Sequence, residues 1–515
     1  MSLRPLDLIV ILLYFVVIGT IGFLASRGQN TTAKFFTAER SLPGWVVAFT
    51  LMGAIIGTGT FIGHPGAAYQ KGLFLFLPQF VLPVVFVLVA KYVVPFYRRV
   101  IRMSAYEYIG LRFGLGGRLY TSFGFLVDRI FDIGVTLVTA ALAVNVLTGW
   151  ELKAVILGVA LFTAAYTLLG GIKAVVWTDV AQGTILILGG LLVLLRLLFA
   201  PEAGAPFAVV GEAWRGGRFT FGSWDFSWAS LFDTQVTTVW LFTAAMAVQF
   251  ARRYATDQHM VQRYLIARSD AEASRATFVG AMICLPVFSL FMLIGTCLYG
   301  FFALTRAPVP EIADSVMPYF MGHYLPAGVL GLVMAGVLAA AMSTVSSDLN
   351  SVSTVATTDY VSVFLPRLSN RARLLFGRLM VLAGGLLSGW AAIMLIPGRE
   401  TAPISERVLT IGAILSGGKL GLFALGFGTR SATRRGCYIG IACCVVFTAW
   451  AILTEPTSRL LDLGWNFEMN PILIGVFGHF VLFGTGWLAS RLCGGYRPEN
   501  VVDLTFWSPR TRDPR

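Results

Sequence analysis

Four hydroxyl side chains fall within five consecutive positions of an apolar part of the sequence, at Ser343, Thr344, Ser346 and Ser347. On a helix, Ser343, Ser346 and Ser347 share one face, because positions three and four apart are neighbours, and Thr344 lies beside that face. Neutral oxygen atoms suit a hard, weakly charged cation, whereas magnesium or calcium would require more carboxylates. The run predicts a site for a monovalent cation; a serine-rich face for close helix packing is the alternative.

A second polar feature is Asp179, which follows Thr178 and precedes a long apolar run. The pattern predicts that Asp179 lies at the beginning of a helix. An ionised carboxylate within a membrane costs several kcal/mol unless it is paired, and a bound cation would offset that cost. The alternative is an interfacial helix cap formed together with Thr178.

These groups belong to a chain with the composition of a membrane protein. Of its 515 residues, 57% are hydrophobic and 13% are charged, and the mean hydropathy is +0.76. Soluble domains carry about 25% charged residues, and a membrane-spanning helix needs about 20 apolar residues. The sequence predicts 13 spans: 6–26, 45–69, 73–97, 119–147, 153–170, 178–199, 236–256, 274–303, 328–359, 373–396, 405–426, 435–453 and 471–493.

The net charge of +13 lies mainly in short loops between these apolar runs, so we expect membrane lipid and not nucleic acid as a partner. Basic residues concentrate in alternate loops, which predicts an outside N-terminus and an inside C-terminus by the positive-inside rule. The six cysteines lie mostly within or beside apolar runs and are interpreted as packing residues without a disulfide framework.

Two spans are interrupted. The segment 45–69 contains five glycines and one proline, and the segment 236–256 runs directly into Arg252, Arg253 and Asp257. Broken backbone at membrane depth is tolerated where it lines a cavity or is packed in protein. Interrupted segments at matching places in two halves, about 45–200 and 235–426, indicate an inverted-repeat transporter. Two glycine-rich packing helices are the alternative.

The predicted fold class is an all-α membrane protein of about 13 transmembrane helices. Its predicted parts are a peripheral first helix with a cytoplasmic loop (1–42), a first inverted repeat (43–200), an outer loop (201–233), a second inverted repeat (234–429), two peripheral helices (430–493) and a cytoplasmic tail (494–515). No nucleophile–base pair or metal motif appears, so we expect neither enzymatic activity nor an organic cofactor. We expect a monomer and leave the assembly state open.

Three stretches resemble the solute:sodium symporter family in both content and order. They are YTLLGGIKAVVWTD at 166–179, DQHMVQRY at 257–264 and STVSSDLNS at 343–351. The likeness covers about residues 6 to 490. Bacterial sialic acid symporters look most similar, through Ser-Ala-Tyr-Glu-Tyr at 104–108 and Arg-Leu-Tyr at 118–120.

The resemblance implies a LeuT-type fold of ten core and three peripheral helices, with sodium as the coupling ion between the first and eighth core helices. The ligands it implies are the carbonyls of Gly53, Ile56 and Ala340 and the hydroxyls of Ser343 and Thr344. A further sodium site of some sialic acid carriers maps to Asp179, Ser343, Ser346 and Ser347. The resemblance therefore favours two sodium ions.

The family's substrate positions map to Thr58, Thr60, Gln79, Asp132, Arg253 and Tyr254. Sialic acid carriers have an arginine where Asp132 stands, and sugar carriers have an aromatic gate where Arg253 stands, so these two positions argue against sialic acid and against a galactose-like site. The resemblance implies import of a small polar organic solute, such as a sugar, sugar acid, amino acid or carboxylate, by alternating access. A proton-coupled transporter of the same fold, a channel and a receptor are the alternatives.

Two interpretations of the intramembrane charges stay open. Asp132 and Arg253 face the cavity and bind a polar or zwitterionic solute, or else Asp128, Arg129 and Asp132 form a structural network between helices. Helical spacing places Asp128 and Asp132 on one face and predicts that Arg129 points elsewhere. Arg263 is interpreted as an anchor at the cytoplasmic end of its helix.

Overall fold

A computed structural model describes residues 3–396, 417–457, 459 and 461–507. Within these ranges the regular secondary structure is helical, apart from one isolated bridge between Leu42 and Ala267. Nine helices of the described part are long and apolar enough to cross a membrane, and one bent pair raises the number to ten. The protein is therefore an all-helical membrane protein. Much of the predicted span 405–426 lies outside the described residues.

The N-terminal half contains a broken helix, as the sequence predicts. Its helices are α1 Pro5–Ser26, α2 Thr32–Thr37, α3 Gly44–Ile55, α4 His64–Lys71, α5 Val81–Leu88, α6 Val94–Val100, α7 Ala105–Phe113, α8 Leu115–Thr148 and α9 Leu152–Leu198. Helix α3 ends at Ile55, Ile56 is extended (φ −91°, ψ 105°), and the segment Gly59–Lys71 continues at an angle of 59°. The predicted interruption of span 45–69 is thus confirmed.

The two spans predicted at 153–170 and 178–199 lie on the two sides of a kink within α9. Only Gly171 departs from helical geometry, with φ 56° and ψ −150°. A Cβ atom at Gly171 would lie 2.5 Å from the carbonyl oxygen of Phe35, so glycine permits both the kink and the close contact. The prediction that Asp179 begins a helix is therefore wrong, and so is the helix-cap alternative, because Asp179 lies about two turns beyond the kink.

The C-terminal half supplies the second broken segment and the most buried of the described membrane-spanning helices. Its helices are α10 Ala208–Arg215, α11 Val239–Thr256, α12 Gln258–Ile266, α13 Asp270–Thr305, α14 Ala313–Tyr324, α15 Val329–Val355, α16 Asn370–Met394, α17 Lys419–Gly428, α18 Arg434–Thr454 and α19 Ile472–Leu492. Asp257 is extended between α11 and α12, which confirms the second interruption. Helix α15, rich in alanine, glycine and serine, packs along α9 and against α3, since small residues allow close approach of helices.

Candidate functional site

The break after α3 lies directly against α15. A Cβ atom added to Gly57 would lie 2.7 Å from the Thr344 hydroxyl oxygen and 3.7 Å from the Ala340 carbonyl oxygen. A side chain at this position would displace the Thr344 hydroxyl or α15, so glycine permits the two segments to meet without rearrangement. The structure thereby brings the break next to Ala340 and Thr344, two of the predicted ion ligands.

The oxygen atoms at this contact are neutral. The hydroxyls of Ser343 and Thr344 each donate to the carbonyl of Ala340 at 3.2 Å, which leaves the lone pairs of both hydroxyls for a cation. Because α3 ends at Ile55, its last carbonyls lack the donors of a continuing helix, and the extended Ile56 turns its own carbonyl out of the helical pattern. The Ala340 carbonyl and the Ser343 and Thr344 hydroxyls thus lie together beside the break, with Ser343 2% exposed and Thr344 9% exposed.

The predicted second site is assembled around Asp179, which is fully buried. Its Oδ2 atom accepts hydrogen bonds from the Thr50 hydroxyl at 2.5 Å and from Arg263 Nη2 at 3.2 Å. Its Oδ1 atom has no hydrogen-bond partner among the described residues. A Cβ atom at Gly53 would lie 3.4 Å from Asp179 Cβ, so the first and second sites share a wall at Gly53.

Arg263 lies inside this second site, where the sequence interpretation did not put it. The fully buried guanidinium donates to Asp179, to the hydroxyl of Ser347 and, through Nε, to the Thr50 carbonyl at 3.0 Å. Ser346 lies on the same helix and donates to the Ser343 carbonyl at 3.1 Å. The interpretation of Arg263 as a cytoplasmic anchor is therefore wrong: it is a buried cation between a carboxylate and a serine.

A cavity of about 270 Å³ lies beside the break. All six predicted substrate residues line it: Thr58, Thr60, Gln79, Asp132, Arg253 and Tyr254. Thr344 lines it as well, so the predicted ion site and the cavity have one residue in common. Apolar side chains, including Phe250 and Phe288, complete the wall. The volume lies just below the range for small-molecule pockets, which is about 300–1,000 Å³.

Asp132 and Arg253 lie at the cavity, as the first interpretation of the charges requires, and the network of the second interpretation is formed as well; solute binding by the pair stays a prediction. Asp132 and Arg253 line the cavity, and Arg129 also joins Asp132 to Asp128 in a buried network. Arg129 donates to Asp132 at 2.6 Å and to Asp128 at 3.0 Å. The prediction that Arg129 points elsewhere is wrong, because its long side chain curves back across the face that the two aspartates share.

The network continues away from the cavity to a lysine that the sequence analysis did not single out. Lys419, at the beginning of α17 and 2% exposed, lies 3.6 Å from Asp128 and 3.9 Å from Asp257. Arg252 lies 3.5 Å from Asp128 and 3.6 Å from Asp257. The available signal was a charged residue within a predicted apolar span, which is a functional candidate by default.

Comparisons with known proteins identify the family of this chain. The model of the sodium:solute symporter family matches residues 35–443. A sodium/sialic acid symporter of Aliivibrio fischeri is 26% identical over 507 residues, with 98% of this chain and 96% of that protein covered. The sodium-coupled monocarboxylate transporter 1 of Homo sapiens is 27% identical over 439 residues, covering 84% of this chain and 70% of that protein.

Solved structures share the fold. A substrate-bound, outward-open sodium-coupled sialic acid symporter aligns with a TM-score of 0.84 at 24% identity, over 95% of this chain and 98% of that one. Mhp1, a nucleobase–cation symporter, aligns with a TM-score of 0.58 at 15% identity, over 90% and 95% of the two chains. Because the family model matches well over half of the sequence, this multi-pass inner-membrane protein belongs to the sodium:solute symporter family and is a transporter, not an enzyme.

Proposed function

We propose that this symporter imports a small polar organic solute by alternating access, with sodium held by the carbonyls of Gly53, Ile56 and Ala340 and the hydroxyls of Ser343 and Thr344. The solute binds in the adjoining cavity at Thr58, Thr60, Gln79, Asp132, Arg253 and Tyr254. The observation that carries the proposal is the contact of the broken α3 with Thr344, since Thr344 also lines the charged cavity.

Coupling follows from that common residue. Sodium draws the α3 break and α15 together and so fixes one wall of the cavity, and a bound solute in turn stabilises the same wall. A mutual gain in affinity of this kind is typically about 1–3 kcal/mol. One sodium ion crossing 100 mV supplies about 2.3 kcal/mol, and a tenfold sodium gradient adds about 1.4 kcal/mol. Together they support solute accumulation on the order of several hundredfold.

A LeuT-type arrangement of about 13 helices, with the N-terminus outside and inverted repeats at 43–200 and 234–429, is part of the same proposal. The two broken segments support it, because each half contributes one: the α3–α4 break and the α11–α12 junction. The cavity lies between them, with Thr58 on one side and Arg253 on the other. Sites at discontinuous helices near the interface of two repeats are typical of such transporters.

A second sodium ion at Asp179, Ser346 and Ser347 belongs to the proposal too. The unpaired Oδ1 of Asp179 supports it, because a buried polar atom is normally satisfied. Arg263 already balances the carboxylate charge, so sodium at this site competes with the guanidinium for Asp179. The number of ions per cycle then depends on whether Arg263 moves away.

The test is uptake into proteoliposomes of the full chain, with a panel of radiolabelled sugars, amino acids and carboxylates. An inward sodium gradient should drive concentrative uptake of at least one solute, and an equal potassium gradient should not. Sodium-independent uptake driven by a pH gradient would replace sodium coupling with proton coupling. Flux of the ion without any solute would contradict symport.

A further inference from the structure

The charged groups that the cavity exposes are few. Among its carboxylates and guanidinium groups, Arg253 and Asp132 have the most accessible side chains, 31% and 18% exposed. Arg129, Asp128 and Arg252 also line the cavity, but their side chains are between 3% and 6% exposed and are held in the buried network. Asp314, which is 7% exposed, and His64 belong to the lining too. The most accessible charged groups that a solute meets are therefore one carboxylate and one guanidinium.

These two groups are neighbours without being bonded. Asp132 Oδ2 and Arg253 Nη2 are 3.9 Å apart, beyond hydrogen-bond distance, whereas a free arginine–carboxylate pair closes to about 2.8 Å. Asp132 is held from the other side by Arg129 at 2.6 Å. Arg253 Nε lacks a hydrogen-bond partner among the described residues. Asp132 and Arg253 can therefore each still form an ion pair with a charged group of a solute in the cavity.

The network is also balanced before any solute arrives. Its acidic members are Asp128, Asp132, Asp257 and Asp348, and its basic members are Arg129, Arg252, Arg253 and Lys419. When the cavity closes, water leaves Asp132 and Arg253 together. A solute with a single charge would give the balanced network a net charge when the cavity closes, which is a costly arrangement in a buried site.

We infer that the solute is a small zwitterion, whose ammonium group binds Asp132 and whose carboxylate binds Arg253. The inference rests on the proposed function and narrows its substrate class. In a small α-amino acid or betaine the two charges lie a few ångströms apart, which matches the spacing of the two side chains. The apolar wall at Met246, Phe250 and Phe288 accepts the uncharged part of the molecule.

This class differs from the solutes named for the relatives, since sialic acid and monocarboxylates are net anions. An anion entering this cavity would meet Asp132, and a like-charge contact of this kind is a means of rejecting a wrong solute. A zwitterion adds no net charge to the cycle. The charge moved per solute then equals the number of sodium ions, whereas for a monocarboxylate it is one fewer.

The test uses matched solutes on one carbon skeleton and the purified full chain. In the first trio, valine carries both charges, 2-hydroxyisovalerate replaces the ammonium by a hydroxyl, and valinamide replaces the carboxylate by an amide. Alanine, proline and glycine betaine are tested with comparable analogues. Galactose is added as an uncharged solute. Thermal stabilisation is measured in sodium and in potassium. At least one zwitterion should bind in sodium, and its singly charged analogues should bind at least 100-fold more weakly.

Two variants assign the contacts. Asp132→Asn should reduce the preference for the amino acid over its hydroxy acid from at least 100-fold to about tenfold or less. Arg253→Gln should do the same for the preference over the amide; its side chain is partly exposed, so this variant remains informative if Asp132→Asn does not fold. Ser343→Ala should remove the sodium dependence of binding.

The outcomes separate the two levels of inference. Tighter sodium-dependent binding of an anion or of galactose than of every zwitterion would overturn the solute class and leave sodium symport intact. Unchanged selectivity in both variants would overturn the assigned contacts. No sodium-dependent stabilisation by any member of the set would overturn the proposed function together with the inference.

Discussion

The two proposed sodium sites share a wall at Gly53, but they balance charge in opposite ways. At the first site, the oxygen atoms of Ala340, Ser343 and Thr344 are neutral. A sodium ion bound there adds a positive charge without a counter-charge and is held by the arrangement of these oxygen atoms. At the second, Asp179 brings a full negative charge that Arg263 already neutralises.

The difference has a consequence for coupling. The first site is complete only while the α3 break contacts α15. Sodium binding at this site therefore depends on the same contact that forms one wall of the cavity. The second site already contains an ion pair between Asp179 and Arg263 without sodium. A sodium ion at this site must therefore compete with the Arg263 guanidinium for Asp179. Transport should therefore depend strictly on the first site, and the second should adjust the ion-to-solute ratio.

The largest expected effect is on stability at the second site. Arg263→Gln removes the partner of a buried carboxylate, and breaking one side of a buried pair costs about 3–5 kcal/mol. We expect the variant to unfold at a markedly lower temperature in sodium-free buffer and to regain stability as sodium is added, because the ion takes the place of the guanidinium. Thermal unfolding of purified protein across a sodium titration measures both effects.

The double variant Arg263→Gln with Asp179→Asn is the matched control. Both partners are then neutral, so most of the stability should return and sodium should add little at this site. If Arg263→Gln alone is as stable as the parent protein without sodium, Asp179 does not depend on Arg263, and the contrast between the two sites is lost.

The next effect concerns the first site. Ser343→Ala removes one of five proposed ligands in a region without water to replace it, and we expect sodium-driven uptake to fall at least 100-fold, equivalent to about 2.7 kcal/mol. Ser351→Ala is the control, since Ser351 is also a buried serine of α15. Its hydroxyl donates a hydrogen bond to the Asp348 carbonyl of the same helix at 2.9 Å. Sodium dependence that is the same in Ser343→Ala as in Ser351→Ala would rule out the ligand assignment.

How much of this the sequence could predict depends on whether a feature is local. The glycines of the α3 break and the hydroxyl run at 343–347 are local signals, and the structure brings both stretches together at Gly57 and Thr344. Asp179 is also predicted as an ion-site residue from local sequence alone, because its carboxylate precedes a long apolar run.

What the sequence could not show are partners from distant segments. Arg263 reaches Asp179 across 84 positions, and Lys419 approaches Asp128 only after the chain has folded. Arg129 was misplaced because spacing fixes the direction of Cβ and not that of a guanidinium several bonds away. The helix boundary near Asp179 was misplaced because Gly171 kinks α9 without ending it.

A smaller effect should come from the contact that joins the two halves of the first site. In Gly57→Ala the new Cβ would lie 2.7 Å from the Thr344 hydroxyl oxygen, so the Thr344 side chain or α15 must move. We expect the apparent sodium affinity to fall about tenfold, equivalent to about 1.4 kcal/mol. Gly59→Ala is the control, because nothing lies within 4 Å of its added Cβ. Equal sodium affinity in the two variants would mean that the approach at Gly57 is not needed for ion binding.

The smallest effect on rate, and the most direct comparison of the two sites, comes from the charge-neutral pair Asp179→Asn and Arg263→Gln combined with Ser346→Ala. The second site loses both of its charges and a hydroxyl, while Ala340, Ser343 and Thr344 remain. We expect uptake to stay within about threefold of the parent protein, below about 1 kcal/mol, with the sodium-to-solute ratio falling from two to one. Parallel ²²Na and solute fluxes in proteoliposomes measure that ratio. A ratio of one in the parent protein would mean that Arg263 already holds the second position, and complete loss of transport in the variant would mean that both sites are required for every cycle.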